Sequence, residues 1–231
     1  MFPATGSSAD TTSMRGWGRP MDVTTTPSSS AIAGTHTRIP RFSRVERYLH
    51  RSIAALTFVL VATGAALYLP SISVLVGNRP LVSDVHVIAG FVLPIPIILA
   101  LLSRAFRTDA GILNRFSADD WRWLRSRDRR SGRIPVGKFN AGQKLNSAFT
   151  LGWILVMLLT GSVMFFNSYF PDDIRTGATF VHDWLTLLIV VVVAGHVYMA
   201  MGDAEARAGM RTGEVSAKWA RREHSQWVNE G

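Results

Sequence analysis

Four histidines stand in or beside long apolar stretches of the chain: His50, His86, His182 and His196. Histidines inside membrane helices are costly and usually functional. His182 and His196 lie fourteen residues apart, and residues 185–194 between them form an uncharged run. At about 100° per residue this spacing falls about 40° short of four full turns, and it covers about 21 Å along the helix axis. The spacing therefore predicts two sites stacked on one face of a membrane-spanning helix.

Four apolar blocks predict the helices that carry these histidines. Hydrophobic residues make up 48% of the 231 residues, and they are gathered into blocks at about 52–70, 85–103, 145–168 and 180–201. A helix of about 20 apolar residues crosses a hydrocarbon core of about 30 Å. Pro94 and Pro96 predict a kink in the second block. We therefore expect an all-α membrane protein, a bundle of four transmembrane helices.

The basic residues predict how the bundle is oriented. Segment 104–144 holds 11 Lys and Arg against 4 Asp, whereas the two short loops carry only Arg79 and Arg175 as basic residues. Positive charge accumulates on cytoplasmic loops, so both termini are expected in the cytoplasm. The chain then divides into a disordered cytoplasmic tail (1–40), a membrane domain (41–202) and a cytoplasmic C-terminal tail (203–231). Because topology accounts for the net charge of +9, we do not expect nucleic-acid binding.

This topology sorts the histidines into two levels, His86 with His182 near the outer face and His50 with His196 near the inner face. Two His–His pairs in a bundle core are the layout for two bis-histidine haems. The chain has no cysteine, which excludes thiolate ligands and covalent haem attachment, so both haems would be of the b type. The competing interpretations are interface histidines that snorkel or bond a backbone carbonyl, and a zinc or proton-relay site. Zinc is weaker, because it takes three or four protein ligands and each level offers two.

Further residues near the apolar blocks could serve the same sites. Arg47 and Arg51 could pair with the propionates of the inner haem, although such arginines also serve as plain topology determinants. Small residues let a porphyrin or another helix approach a backbone closely. Glycines inside the blocks are Gly64, Gly90, Gly152, Gly161 and Gly195. His36 and His224 lie in polar tails and are expected to be solvated.

Several motifs carry a family resemblance over about residues 40–230. They are Glu46-Arg47 before His50, His86 at the start of the second block, Gly137-Lys-Phe-Asn-Ala-Gly-Gln-Lys144, His182, His196-Val-Tyr-Met-Ala200, and the segment from Gly209 to Ala220. On these motifs the sequence resembles the cytochrome b (gamma) subunit of respiratory formate dehydrogenase. It departs from the family pattern at Arg51, where the family often has Trp, and in its long Ser/Thr-rich N-terminal tail.

The resemblance implies roles for individual residues. His50 and His196 would hold the inner haem, and His86 and His182 the outer one. A quinone, expected to be menaquinone, would bind near Asn140, Gly142 and Gln143 with His196 adjacent. A helix N-cap and turn is the equally weighted interpretation of Asn140 and Gly142.

The resemblance also implies a function and partners. The chain would be a multi-pass protein of the prokaryotic cell membrane. It would anchor a formate dehydrogenase complex and pass electrons from an iron–sulfur (beta) subunit through two b haems to membrane quinone. Formate itself would be oxidised on a molybdenum or tungsten catalytic (alpha) subunit. The alternatives are a cytochrome b subunit of a nickel–iron hydrogenase or another molybdenum oxidoreductase, and a haem-free membrane transporter or assembly factor.

Overall fold

A computed structural model describes residues 37–129 and 133–229 of the chain. The predicted disordered tail up to residue 36, including His36, lies outside the described residues. The helices are α1 (Arg44–Tyr68), α2 (Pro70–Val76), α3 (Arg79–Val92), α4 (Ile95–Ala100), α5 (Arg104–Leu113), α6 (Ala118–Arg125), α7 (Ala141–Phe165), α8 (Asp172–Met201), α9 (Ala204–Thr212), α10 (Ala217–Glu223) and α11 (Ser225–Asn229). The strands are β1 (Arg38–Pro40) and β2 (Glu214–Ser216).

Four helical segments are long and apolar enough to cross a membrane. They are α1 with 25 residues, α3 and α4 together with 22, α7 with 25 and α8 with 30. Long apolar helices satisfy every backbone hydrogen bond internally, which is what a bilayer demands. The chain is therefore a multi-pass membrane protein with the four spans that the apolar blocks predict.

The ends of the spans follow local sequence signals. Ser43 and Glu46 form a capping box at the start of α1, and α1 ends just before Pro70. The second span is interrupted between α3 and α4 at Pro94, because neither Pro94 nor Pro96 has an N–H for the helical ladder. The fourth span begins at Asp172 rather than at 180, because a short 3₁₀ helix and Pro171 already close the turn after α7.

An apolar core fills the middle of the bundle. Its buried residues are Leu93, Trp153, Ile154 and Ile189. Ile189 lies seven residues from both His182 and His196 on α8, so it occupies the same helix face between them. Met157 also packs against this core. Two histidine levels are thus separated by a layer of packed hydrophobic side chains.

The two ends of the described chain meet at one end of the bundle, called here the basic end. Strand β1 pairs antiparallel with β2, and Ile39 lies opposite Val215. The N–H groups of Arg41 and Phe42 donate to the carbonyl of Gly213 at 2.7 and 3.1 Å. The three residues Val215, Trp219 and Ala220 are buried here and form the basic-end cluster. The segments before α1 and after α8 therefore fold together, where the sequence suggests two separate tails.

Candidate metal centres

Two histidine pairs lie on opposite sides of the apolar core. The ring centroids of His50 in α1 and His196 in α8 are 6.2 Å apart, with an interplanar angle of 51°. The centroids of His86 in α3 and His182 in α8 are 6.3 Å apart, with an angle of 62°. We call the first the basic-end pair and the second the loop-end pair. Helix α8 contributes one imidazole to each pair, as its fourteen-residue spacing predicts.

The separation within each pair suits one metal ion between two imidazoles. Metal–nitrogen bonds of about 2.0–2.1 Å on opposite sides of an ion put the two ring centroids about 6 Å apart. Within residues 37–129 and 133–229, no group of three or more His, Asp and Glu side chains is placed to hold a metal ion. Each pair can therefore supply two nitrogen ligands, which fits an iron whose other four ligands belong to a porphyrin.

Each imidazole of the loop-end pair is hydrogen-bonded to a threonine on a neighbouring helix. The Nδ1 atom of His86 lies 2.9 Å from Oγ1 of Thr63 in α1. The Nδ1 atom of His182 lies 3.0 Å from Oγ1 of Thr160 in α7. Because Nδ1 is occupied in both rings, Nε2 is the nitrogen available to a metal.

A glycine follows each of these threonines and makes room for the ring. A Cβ atom placed on Gly64 would lie 3.5 Å from Cε1 of His86, and one on Gly161 would lie 3.5 Å from Cε1 of His182. The close partner of both glycines is thus an imidazole, not another helix backbone. The sequence interpretation missed both threonines, although a Thr-Gly step recurs in the first and third apolar blocks, 23 and 22 residues before a histidine.

The basic-end pair has a different environment. In the part of the chain that the structure describes, the ring nitrogens of His50 and His196 have no hydrogen-bond partner, and both residues are exposed on the isolated chain. Arg47 and Arg51 each donate to the carbonyl of Arg211, at 2.9 and 3.1 Å. The Nε atom of Arg47 is buried without a partner among the described residues. Arg47 and Arg51, the candidate partners for haem propionates, are therefore close to His50 in sequence, but the C-terminal segment holds their side chains.

The candidate quinone residues sit at the start of α7. Oδ1 of Asn140 accepts from the N–H of Gln143 at 2.9 Å, and Oε1 of Gln143 accepts from the N–H of Asn140 at 3.0 Å. This is a capping box, so the N-cap interpretation of Asn140 is confirmed. A Cβ atom on Gly142 would lie 3.4 Å from the indole of Trp123. The cap uses the side-chain oxygens and leaves the NH₂ groups of both amides outside it.

Two ion pairs hold the start of α7 against α6 and the loop before α7 against α5. Nζ of Lys144 lies 2.6 Å from Oδ2 of Asp120 and donates to the carbonyl of Arg115 at 2.9 Å. Burial by itself raises the pKa of Asp120, but hydrogen bonds from Lys144 and Ser117 outweigh it and hold that pKa below its ordinary value. The carboxyl of Asp120 therefore favours its charged form.

The second pair joins Lys138 to Asp109. Burial, and then the neighbouring carboxyl of Glu46, raise the pKa of Asp109 to about 7, against the opposing effect of Lys138. Asp109 can therefore exchange a proton near neutral pH at the basic end of the bundle.

His224 is enclosed in the basic end, so the expectation that it is solvated is wrong. Only 2% of its surface is exposed. Its Nδ1 lies 2.7 Å from the carbonyl of Gly137 and its Nε2 lies 2.9 Å from Arg41. Burial, and then the positive charge of Arg41, lower the pKa of His224 to about 3. The residues that surround His224 come from segments distant in sequence. The polar composition of the C-terminal tail therefore does not reveal that His224 is buried.

Comparisons with known proteins place these features in a family. The family model described as prokaryotic cytochrome b561 matches residues 41–207. The cytochrome b556(Fdn) subunit of nitrate-inducible formate dehydrogenase from Escherichia coli K12 is 33% identical over 98 residues, which are 41% of this chain. That match spans 45% of the relative's length, somewhat less than half.

Two further relatives match over most of the chain. The formate dehydrogenase cytochrome b556 subunit of Haemophilus influenzae is 27% identical over 207 residues, 84% of each chain. The cytochrome b556(fdo) subunit of Escherichia coli K12 formate dehydrogenase is 25% identical over 202 residues, 83% of this chain and 92% of that protein. With four apolar helices and paired intramembrane histidines, the chain belongs to the prokaryotic cytochrome b561 family.

Proposed function

We propose that this chain is the membrane-anchoring, di-haem cytochrome b subunit of a formate dehydrogenase complex. It passes electrons from an iron–sulfur partner subunit to membrane quinone and does not itself oxidise formate. The observation that carries the proposal is the presence of two histidine pairs, with centroids 6.2 and 6.3 Å apart, at two levels of one bundle. Relatives aligned over most of the chain are named formate dehydrogenase cytochrome b556 subunits.

His86 and His182 would hold one haem b, and His50 and His196 the other. A haem with two imidazole ligands supplies reversible one-electron transfer when it is bound, with no open coordination position. The chain contributes the four Nε2 or Nδ1 donors, the apolar layer around Ile189 that keeps water out between the levels, and the small residues Gly64 and Gly161 beside the rings. Arg47 and Arg51 are the candidate partners for propionates at the basic end.

The charge distribution supports an orientation with the basic end in the cytoplasm. Both described termini lie at that end together with the described parts of segment 104–144, and this segment holds 11 Lys and Arg. Electrons would then move from the loop-end level inward to the basic-end level. Moving one electron inward, toward the negative side of the membrane, requires about 2.3 kcal/mol per 100 mV of potential, so this step would generate membrane potential.

Quinone reduction would take place beside the basic-end pair. Asn140, Gly142 and Gln143 lie half-buried at the start of α7, and the two amide NH₂ groups can donate to quinone carbonyl oxygens. His196 on α8 would be the adjacent polar group, as the family resemblance implies. Asp109, whose pKa is near 7, is a group through which a proton could be supplied from the basic end.

The partners would be an iron–sulfur subunit at the loop end and a catalytic subunit with molybdenum or tungsten behind it. A nickel–iron hydrogenase or another molybdenum enzyme could use the same cytochrome. The subunits that co-purify with the chain from its native membrane separate these alternatives, because a hydrogenase carries nickel, and because formate oxidation by the purified complex distinguishes formate dehydrogenase from another molybdenum enzyme.

A haem count tests the proposal directly. A dithionite-reduced minus oxidised spectrum with a pyridine haemochrome assay should give two haems b per chain. His196→Ala should leave one, and His86→Ala should also leave one, with a different reduction potential. His224→Gln is the matched control and should retain two, because His224 faces Arg41 and Gly137. A chain that folds with ample haem supply and binds none would overturn the proposal in favour of a haem-free membrane protein.

A further inference from the structure

The two imidazoles of the loop-end pair are held by matching contacts from two different helices. Thr63 in α1 reaches Nδ1 of His86 in α3 at 2.9 Å, and Thr160 in α7 reaches Nδ1 of His182 in α8 at 3.0 Å. Each threonine is followed by a glycine whose Cβ position lies 3.5 Å from the same ring. One Thr-Gly step therefore provides both a polar contact and the space for each imidazole.

The direction of these hydrogen bonds follows from the backbone partners of the threonines. Oγ1 of Thr63 lies 2.7 Å from the carbonyl of Val59, and Oγ1 of Thr160 lies 2.8 Å from the carbonyl of Val156. A carbonyl can only accept, so the single hydroxyl proton of each threonine is donated to the backbone. The oxygen then accepts from the ring, which places the imidazole proton on Nδ1 and leaves the lone pair on Nε2.

The basic-end pair lacks this arrangement in the described residues. No ring nitrogen of His50 or His196 has a hydrogen-bond partner there, and no threonine contact corresponds to that of Thr63 or Thr160. The two levels of one bundle therefore present chemically different imidazoles to whatever they bind, although the separation between the rings is nearly the same.

We propose that Thr63 and Thr160 are positioning residues that fix the tautomer and the plane of His86 and His182. By fixing both, the two threonines make the reduction potential of the loop-end haem different from that of the basic-end haem. The inference rests on the proposed function, because it requires that His86 and His182 bind haem iron.

A hydroxyl that accepts from Nδ1–H makes the imidazole a stronger electron donor through Nε2. Stronger donation favours the oxidised metal, so loss of the hydroxyl should raise the reduction potential at the loop end. Loss of the contact also releases the ring, whose plane lies at 62° to its partner. Rotation of the ring changes the low-spin EPR signal, which depends on the angle between the two axial imidazoles.

Thr63→Val and Thr160→Val test the inference, singly and together, since valine keeps the branched shape and removes the hydroxyl. A potentiometric titration should resolve two haems, and the loop-end one is identified as the haem that remains in His196→Ala. We expect the loop-end potential to rise and its EPR gmax to shift in each single variant, and more in the double variant, while the basic-end haem is unchanged. Thr63→Ser and Thr160→Ser restore a hydroxyl and should return both readouts toward the wild type.

Thr150→Val is the matched control. Thr150 makes the same contact to a backbone carbonyl in α7, to Asn146 at 2.8 Å, but it is not hydrogen-bonded to an imidazole. It should leave both potentials unchanged. Unchanged loop-end potential and gmax in the double valine variant would overturn the inference, and so would serine variants that shift as far as the valine variants. A wild-type chain that binds no haem would instead overturn the proposed function.

Discussion

The guanidinium of Arg41 lies 2.9 Å from Nε2 of His224, a residue 183 positions away in sequence. A guanidinium can only donate, so Nε2 accepts, and Nδ1 must carry the proton that it donates to the carbonyl of Gly137. The folded basic end therefore requires a neutral imidazole. The guanidinium also lies 4.7 Å from the ring centroid of Trp219, which ties the C-terminal segment to the residues just before α1.

The stability of the basic-end cluster should depend on pH through His224. The pKa of His224 falls from 6.5 to about 3 on folding, so below pH 6.5 the unfolded segment binds a proton that the folded one does not. Stability is then lost as pH falls from 6.5 toward 3, by up to about 1.4 kcal/mol per pH unit. Hydrogen exchange of the Val215 and Ala220 amides between pH 5 and 7.5, corrected for intrinsic rates, measures this. His224→Gln should flatten the dependence, and an unchanged slope in that variant would contradict the assignment.

Gly213 should tolerate substitution less well than Gly77, which also has a positive φ. Gly213 has φ of 95°, and a Cβ atom there would lie 2.8 Å from the carbonyl oxygen of Phe42. Gly77 has φ of 70° and no atom within 4 Å of its Cβ position. A left-handed backbone alone costs an L residue about 1–2 kcal/mol, so Gly77→Ala carries only that cost. Gly213→Ala adds the clash with Phe42 and should loosen the pairing of β1 with β2, so proteolysis of the C-terminal segment should be faster in this variant. Equal rates of proteolysis in Gly213→Ala and Gly77→Ala would contradict this prediction.

Substitutions at Lys144 and Asp120, which form a buried ion pair, should have strongly coupled effects on stability. Removing one partner of a buried pair leaves an uncompensated charge, which typically costs about 3–5 kcal/mol. We expect Lys144→Met and Asp120→Asn each to lower the melting temperature in detergent, and the double variant to lose less than the sum of the two. The exposed pair Arg122 and Asp119 is the control, with an expected contribution of about 0–1 kcal/mol. Additive effects at Lys144 and Asp120 would show that the pair is not coupled.

Gly161 should accept a methyl group but not a larger side chain. Its Cβ position lies 3.5 Å from Cε1 of His182, which is ordinary van der Waals contact, so Gly161→Ala should retain two haems. Gly161→Val should displace the ring and lose the loop-end haem in a pyridine haemochrome count. Gly152→Val, in the same helix and with no atom within 4 Å of its Cβ position, should retain both. Two haems in Gly161→Val would mean that the ring does not need this space.

Asn140 variants should separate capping from quinone binding. Asn140→Asp keeps an oxygen for the N–H of Gln143 but removes the NH₂ group, whereas Asn140→Ala removes both. Loss of an N-cap costs about 0.5–2 kcal/mol, so only the alanine variant should destabilise α7. Both should raise the KM for a soluble quinone analogue if the amide donates to it. A normal KM in Asn140→Asp would limit this residue to the cap.

Particular residues show how far sequence reasoning reached. The spacing of His182 and His196 predicts two levels on one helix, because helix geometry converts fourteen residues into one face and a known rise. The four spans follow from apolar length, and the break in the second span from two prolines. The N-cap interpretation of Asn140 follows from its residue type just before an apolar block, whereas the reciprocal bond from Gln143 was found only in the structure. The contacts of Thr63 and Thr160 did not follow in the same way, since a lone threonine in an apolar block carries no mark of its partner.

The sequence by itself determined the four spans, the two levels that His182 and His196 occupy along one helix, and the absence of cysteine, because these depend on apolar length, helical periodicity and composition. Only the tertiary structure decided which side chains hold the imidazoles and where the C-terminal segment lies. Thr63 meets His86 across two helices, and Arg41 meets His224 across most of the chain. Such contacts depend on how helices pack against one another, and packing is set by many side chains at once rather than by any local pattern.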